Sequence, residues 1–147
     1  MARAHVIMEE MKRIADPGRA AGSSVFFKTG RGQYGEGDRF LGIPVPENRR
    51  LVRKFRGSGI EVYRELLGSP IHEARLFALL SLVDAFTRAD EQARNNIFQL
   101  YIASTGRVNN WDLVDSSAPT SWGGGWKTAT GAFSTTCPAL NSCGTDE

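Results

Sequence analysis

Residues 71–86 read IHEARLFALLSLVDAF, and on a helix this stretch puts apolar side chains around most of the circumference. A helix packed on only one side keeps a polar face. This one has little to spare, so it is expected at the centre of an all-α fold with neighbours on two sides.

Working outward, GSP at 68–70 separates it from an upstream helix carrying Ile60, Val62, Tyr63, Leu66 and Leu67. Before that, Gly57-Ser58-Gly59 stops a helix that opens at Pro46-Glu47, with Leu51, Val52 and Phe55 on one side. Downstream, Asp90 starts a helix through Ile97, Leu100, Tyr101 and Ile102 that ends at Gly106, and Asn110 is placed to cap the next one. At the N-terminal end Ala4, Ile7, Met8, Met11, Ile14 and Ala15 share one helical face, closed by Asp16-Pro17-Gly18. Residues 22–45 are punctuated by glycines between Phe26, Phe27, Tyr34 and Phe40, and read as a long anchored loop. Period-two alternation between hairpin turns is missing, so strands are not expected. Helices arriving in pairs between short Gly/Pro breaks predict a HEAT-like helical repeat solenoid with a unit near the roughly 40 residues of such arrays.

Composition narrows the function classes. The 147 residues suit one domain, with 41% hydrophobic and 23% charged residues. No apolar run reaches the roughly 18 residues of a membrane span, and the first sixteen residues lack a signal-peptide core, so a cytoplasmic protein is expected. Cys137 and Cys143 have no histidine nearby, which argues against a zinc site or a disulfide framework. A net charge of +2 is too small to imply a polyanionic partner by itself. Placement of the charge has to carry that argument.

Two motif matches fail on context. GRGQYG at 30–35 has the spacing of a dinucleotide-binding loop, but EGDRFLGIPVP after it cannot start the helix that would hold a pyrophosphate. His72-Glu73 opens a helix as a zinc-protease motif does, yet position 76 is Leu and the second ligand is missing. The reading calls for neither a metal nor another cofactor.

Two others hold more. Arg49, Arg50, Arg53, Lys54 and Arg56 put five cations within eight residues near a helix start, a pattern suited to nucleic-acid phosphates or to an ordinary solvated face. Trp111 and Asp115 are four apart, so on a helix they share one face close to its N-terminus. Residue types alone make them a core aromatic and a carboxylate favoured by the helix dipole, as they do Asp112.

The stretches FFKTGRGQYGEGDRFLGIPVPENRRLVRKF at 26–55, HEARLFALLSLVDAF at 72–86 and VNNWDLVDSSAP at 108–119 together resemble the AlkD-like DNA alkylation repair family. The resemblance covers roughly residues 20–119. It implies a HEAT-like solenoid that hydrolyses the glycosidic bond of N3- or N7-alkylated purines in duplex DNA, working as a monomer. It also implies that Trp111 and Asp115 are active-site residues, and that Arg49, Arg50, Arg53 and Lys54 contact the DNA backbone. The alternative function is a non-catalytic HEAT-like module that binds DNA or protein.

Residues 120–147 break the pattern. Fourteen of these 28 residues are Gly, Ser or Thr, without an amphipathic period. Members of the family continue in helices that carry a second active-site tryptophan and an arginine in an L-W-x-R-R segment. Read one base out of register, the codons of Trp122-Gly123 must give a glycine and those of Trp126-Lys127 a glutamate. The remaining codons permit a helical string ending in LWHRR. The expectation is a repair domain over 1–119, truncated by a frame change near Pro119, with an irregular tail and impaired activity.

Overall fold

The computed structural model describes residues 2–27, 29–33, 35–108 and 113–114. Among them are six α-helices: α1 (Ala4–Arg13), α2 (Pro17–Phe26), α3 (Val45–Lys54), α4 (Ile60–Leu67), α5 (His72–Arg88) and α6 (Glu91–Ala103). A 3-10 turn at Thr105–Arg107 follows. The described residues contain no β-strand, only an isolated parallel bridge between Arg39 and Ile71. The fold is all-α, as the apolar periodicity requires.

α5 is the centre. It packs against α3, α4 and α6, while α1 packs against α4. Phe77, Leu79 and Leu82 on α5 are fully buried, and so are Ile7 and Met11 of α1. Leu51 and Val52 of α3, Leu66 and Leu67 of α4, and Ile97 and Phe98 of α6 complete the same core. Leu113 joins it with no exposed surface, so the chain just before the Ser-Ala-Pro of the sequence returns to the core.

One expectation is corrected. Residues 22–45 are not all loop, because Pro17–Phe26 forms α2. Asp16-Pro17 both closes α1, which ends at Arg13, and opens α2. The Asp16 carboxylate accepts from the Gly18 and Arg19 amides at 3.0 and 3.1 Å, and Pro17 enters the first turn, where its missing N–H costs nothing. α2 buries none of its residues, so its sequence carries no strong apolar stripe to announce it.

α2 is docked by backbone instead. The Asp16 N–H donates to the Leu41 carbonyl at 2.8 Å. Gly42, at φ 76°, lies so close that a Cβ there would stand 2.1 Å from the Asp16 carbonyl oxygen. Only glycine fits this crossing.

Candidate functional site

Four residues on α3, two on the chain after the 3-10 turn, and an unforeseen buried cluster at the head of α5 make up the candidate site. α3 buries Asn48, Leu51 and Val52, which forces Arg49, Arg50, Arg53 and Lys54 to the outside. The exposed cations then divide by partner. Arg50 pairs with Glu47 at 3.1 Å and Lys54 with Glu10 of α1 at 2.5 Å. Arg56 forms a two-pronged pair with Asp84 of α5 at 3.0 and 3.1 Å, and Arg88 binds the same carboxylate. Arg49 and Arg53, one turn apart, have no carboxylate partner among the described residues. They form a stripe of two guanidinium groups that no carboxylate among the described residues offsets.

The Lys54 ammonium, by hydrogen bond first and by charge as well, holds the Glu10 carboxyl below its ordinary value of 4.5, against a smaller opposing effect of desolvation. Arg13 adds to the lowering. The helix start itself contributes less to anion binding than the sequence suggested. Glu47 already places a negative charge in the first turn of α3, and Pro46 there has no N–H to offer.

At the head of α5, a loop is tied down by polar groups rather than apolar ones. Glu73 reaches across to residues 41–43: its Oε1 accepts the amides of Leu41, Gly42 and Ile43 at 3.0, 2.8 and 3.3 Å, and its Oε2 accepts Leu41 at 3.0 Å. Asn48 of α3 donates to the Glu73 carbonyl at 2.9 Å. The carboxylate is therefore spent on backbone, which removes it from any metal-ligand role. Beside it, the rings of His72, Phe27 and Phe40 form a three-way cluster, with His72 5.2 and 4.8 Å from the two phenyl centroids and those 5.3 Å from each other.

Arg75 is the third member of this cluster. Its Nη2 lies 2.6 Å from Asp38 Oδ2, with both side chains at most 5% exposed. Its Nη1 donates to the Arg107 carbonyl at 3.1 Å. Asp38 Oδ2 also stands 3.9 Å from His72 Nδ1. One buried guanidinium thus joins the loop at 38, the head of α5 and the turn at 105–107. Sequence reasoning did not single out Glu73 or Arg75 in these roles. The available signal was chemical: charges on a helix that is apolar all round must be buried, and buried charges need partners.

Trp111 and Asp115, the expected catalytic pair, lie outside the described residues, as do Asn110, Asp112 and the whole 120–147 tail. Their surroundings are described on two sides: Arg107 upstream is held by Arg75, and Leu113 between them is buried in the core. The described part of GRGQYG, 30–33, forms turns in which the Gly30 amide is answered by Gln33 and the Gly32 amide by Glu36 at 3.0 and 2.7 Å. The next helix, α3, starts only at Val45, too far along the chain to present its N-terminus to that loop as a dinucleotide site requires. Among the described residues no helix is long and apolar enough to cross a membrane.

Comparison with known proteins gives one family. A model described as DNA alkylation repair enzyme matches residues 7–130, from within α1 through α6 and past Pro119. No curated protein and no solved structure matches the chain. With most of its length inside that match, the chain belongs to the DNA alkylation repair enzyme family.

Proposed function

We propose that the protein binds duplex DNA along α3 and hydrolyses the N-glycosidic bond of N3- or N7-alkylated purines on a HEAT-like helical scaffold. The observation that carries the DNA contact is the stripe of Arg49 and Arg53, whose charge no carboxylate of the described residues offsets. Arg50 and Lys54 join it on binding. Their pairs with Glu47 and Glu10 lie at the surface, where solvent screening leaves ion pairs of this kind little to contribute. A phosphate can displace them at little cost.

The chemistry suits a site without a strong acid. An N7-alkylated purine is cationic, so when the bond from its nitrogen to C1′ breaks, the electron pair neutralises the leaving base. Positive charge collects on the deoxyribose, where a carboxylate stabilises it and water adds to C1′, losing its proton. In this reading Asp115 is that carboxylate and orients the water, while the face of Trp111 packs against the sugar and attracts the developing cation. Excision is slow in the chain as it stands, because the second tryptophan and the arginine implied by the family lie in a segment that 120–147 replaces. Neither cofactor nor metal enters any step.

Duplex binding across a salt series tests the DNA contact. Arg49→Met with Arg53→Met should weaken binding alike on alkylated and unmodified duplex and flatten the dependence of log K on log salt by about two phosphate contacts. Arg50→Met with Lys54→Met should flatten it less. An unchanged slope in the first pair would return α3 to an ordinary solvated face.

A further inference from the structure

Arg39 and Arg107 are far apart in sequence, exposed, and in no ion pair among the described residues. Both are fixed by their backbone at the head of α5. The Arg39 amide donates to the Pro70 carbonyl at 2.9 Å, and its carbonyl accepts the His72 amide at 2.8 Å, in the bridge that leads into the helix. Arg107 closes the 3-10 turn after α6. Its amide donates to the Ser104 carbonyl at 2.9 Å, and its carbonyl accepts Nη1 of Arg75 at 3.1 Å. The Nη2 of the same guanidinium lies 2.6 Å from Oδ2 of Asp38, the residue next to Arg39. One buried side chain thus bridges the two backbones that carry the exposed cations.

Stability does not call for such a bridge. Burying a guanidinium with a carboxylate carries a large desolvation penalty, and an apolar pair of similar volume often serves as well. An apolar pair, however, cannot hold the Arg107 carbonyl. Lysine could keep the charge pair with Asp38 but lacks the planar fork that serves two acceptors at once. What the bridge achieves is to keep two like charges at one end of the fold, where they repel each other unless anions lie against them. A chain of phosphates supplies such anions in succession, and the surface next to these arginines is the one already read as a duplex contact. Asn48, in the first turn of α3, donates to the Glu73 carbonyl at 2.9 Å, so the helix that carries Arg49 and Arg53 starts against the head of α5.

We propose that Arg39 and Arg107 are a second phosphate contact for duplex DNA, at the head of α5, and that the buried Asp38–Arg75 bridge holds their backbones in place for it. The proposal rests on the duplex-binding reading and extends it from one helix face to a loop and a turn. Arg75 acts here as a positioning residue, since it is buried and meets the DNA only through the backbone it holds.

The test is duplex binding by the full 147-residue chain across a salt series, with far-UV helicity recorded for each variant. Arg39→Met with Arg107→Met is expected to flatten the slope of log K against log salt by about 1.8, two phosphates at about 0.9 each. Lys12→Met with Arg64→Met removes two exposed cations from α1 and α4 and should change the slope far less. Asp38→Leu with Arg75→Met leaves the net charge unchanged and both surface arginines in place. Its slope is expected between those of the parent and the Arg39→Met, Arg107→Met variant, with helicity close to the parent. A parent-like slope after Arg39→Met with Arg107→Met would overturn the proposal, as would equal flattening by Lys12→Met with Arg64→Met. A parent-like slope after Asp38→Leu with Arg75→Met would overturn the positioning role, and so would loss of helicity throughout that variant, because the pair would then be holding the whole core. Failure of the α3 contact shows separately, as an unchanged slope after Arg49→Met with Arg53→Met while Arg39→Met with Arg107→Met still flattens it.

Discussion

α2 opens at the Asp16 cap and α5 at Ile71 without a side-chain cap, and the two helices are held in opposite ways. α5 buries eleven of its seventeen residues, and α2 buries none of its ten. Val25 and Phe26 near the end of α2 remain 81% and 65% exposed, whereas Phe77 in the middle of α5 is fully covered. α2 exists because Asp16 caps it and because Gly42 lets loop backbone pass against its first turn. α5 exists because its neighbours have nowhere else to put their apolar faces. Helix formation and core formation are thus separable in this chain, and a substitution should be felt according to which of the two it touches.

The contrast can be broken most easily in α5. Phe77→Ala removes a fully buried ring and should destabilise the protein by about 3–5 kcal/mol in denaturant titrations. A loss comparable to that of a surface substitution would mean that α5 is not the centre. Glu73→Gln is next. It exchanges charge-assisted bonds from three amides for weaker ones and leaves an NH2 facing other donors, for an expected loss of about 2–3 kcal/mol. The same titration, with hydrogen exchange at the amides of residues 41–43 rising selectively, would confirm where the loss falls.

In α2 the numbers should fall. Asp16→Ala removes a cap that serves two amides and should cost about 1 kcal/mol. Val25→Ala, at an exposed position with nothing to bury, should stay within about 0.5 kcal/mol of the parent. If Val25→Ala cost as much as Phe77→Ala, α2 would have a buried face and the comparison would fail. The smallest effect belongs to the surface pair of α1 and α3. Glu10 has its carboxyl pKa lowered in the folded state, so its contribution is complete above the ordinary value of 4.5 and is lost as pH falls through the lowered one. The difference in melting temperature between the parent and Glu10→Gln should therefore shrink as acid is added below that range.

The same contrast explains what the sequence disclosed. α1, α3, α4, α5 and α6 were legible because each carries an apolar face that burial requires, and Asp90 was legible as a cap because it precedes such a face. α2 was not, since the apolar stripe on which helix recognition depends is absent where nothing is buried. Of the site, the α3 cations were legible as a cluster of charge, and Arg50 with Glu47 as a local pair, but which of the others find a partner among the described residues could not be read. That division depends on Glu10 and Asp84, which are far away in sequence. The bonds from Glu73 to residues 41–43 and from Arg75 to Asp38 and Arg107 are likewise long-range, and only folding brings them together.

All of these experiments concern how the scaffold is held, and the central claim is what the scaffold does. It is tested most directly by single-turnover release of N7-methylguanine from duplex DNA. The assay would compare this chain, a version in which residues 120–147 are replaced by the helical string that the codons permit one base over, and each with Asp115→Asn. The account predicts release above the protein-free rate, faster in the chain with the replaced tail, and lowered by about a hundredfold when the Asp115 carboxylate is removed. Tight duplex binding with no release above the protein-free rate in any of them would contradict it and leave a DNA-binding module in its place.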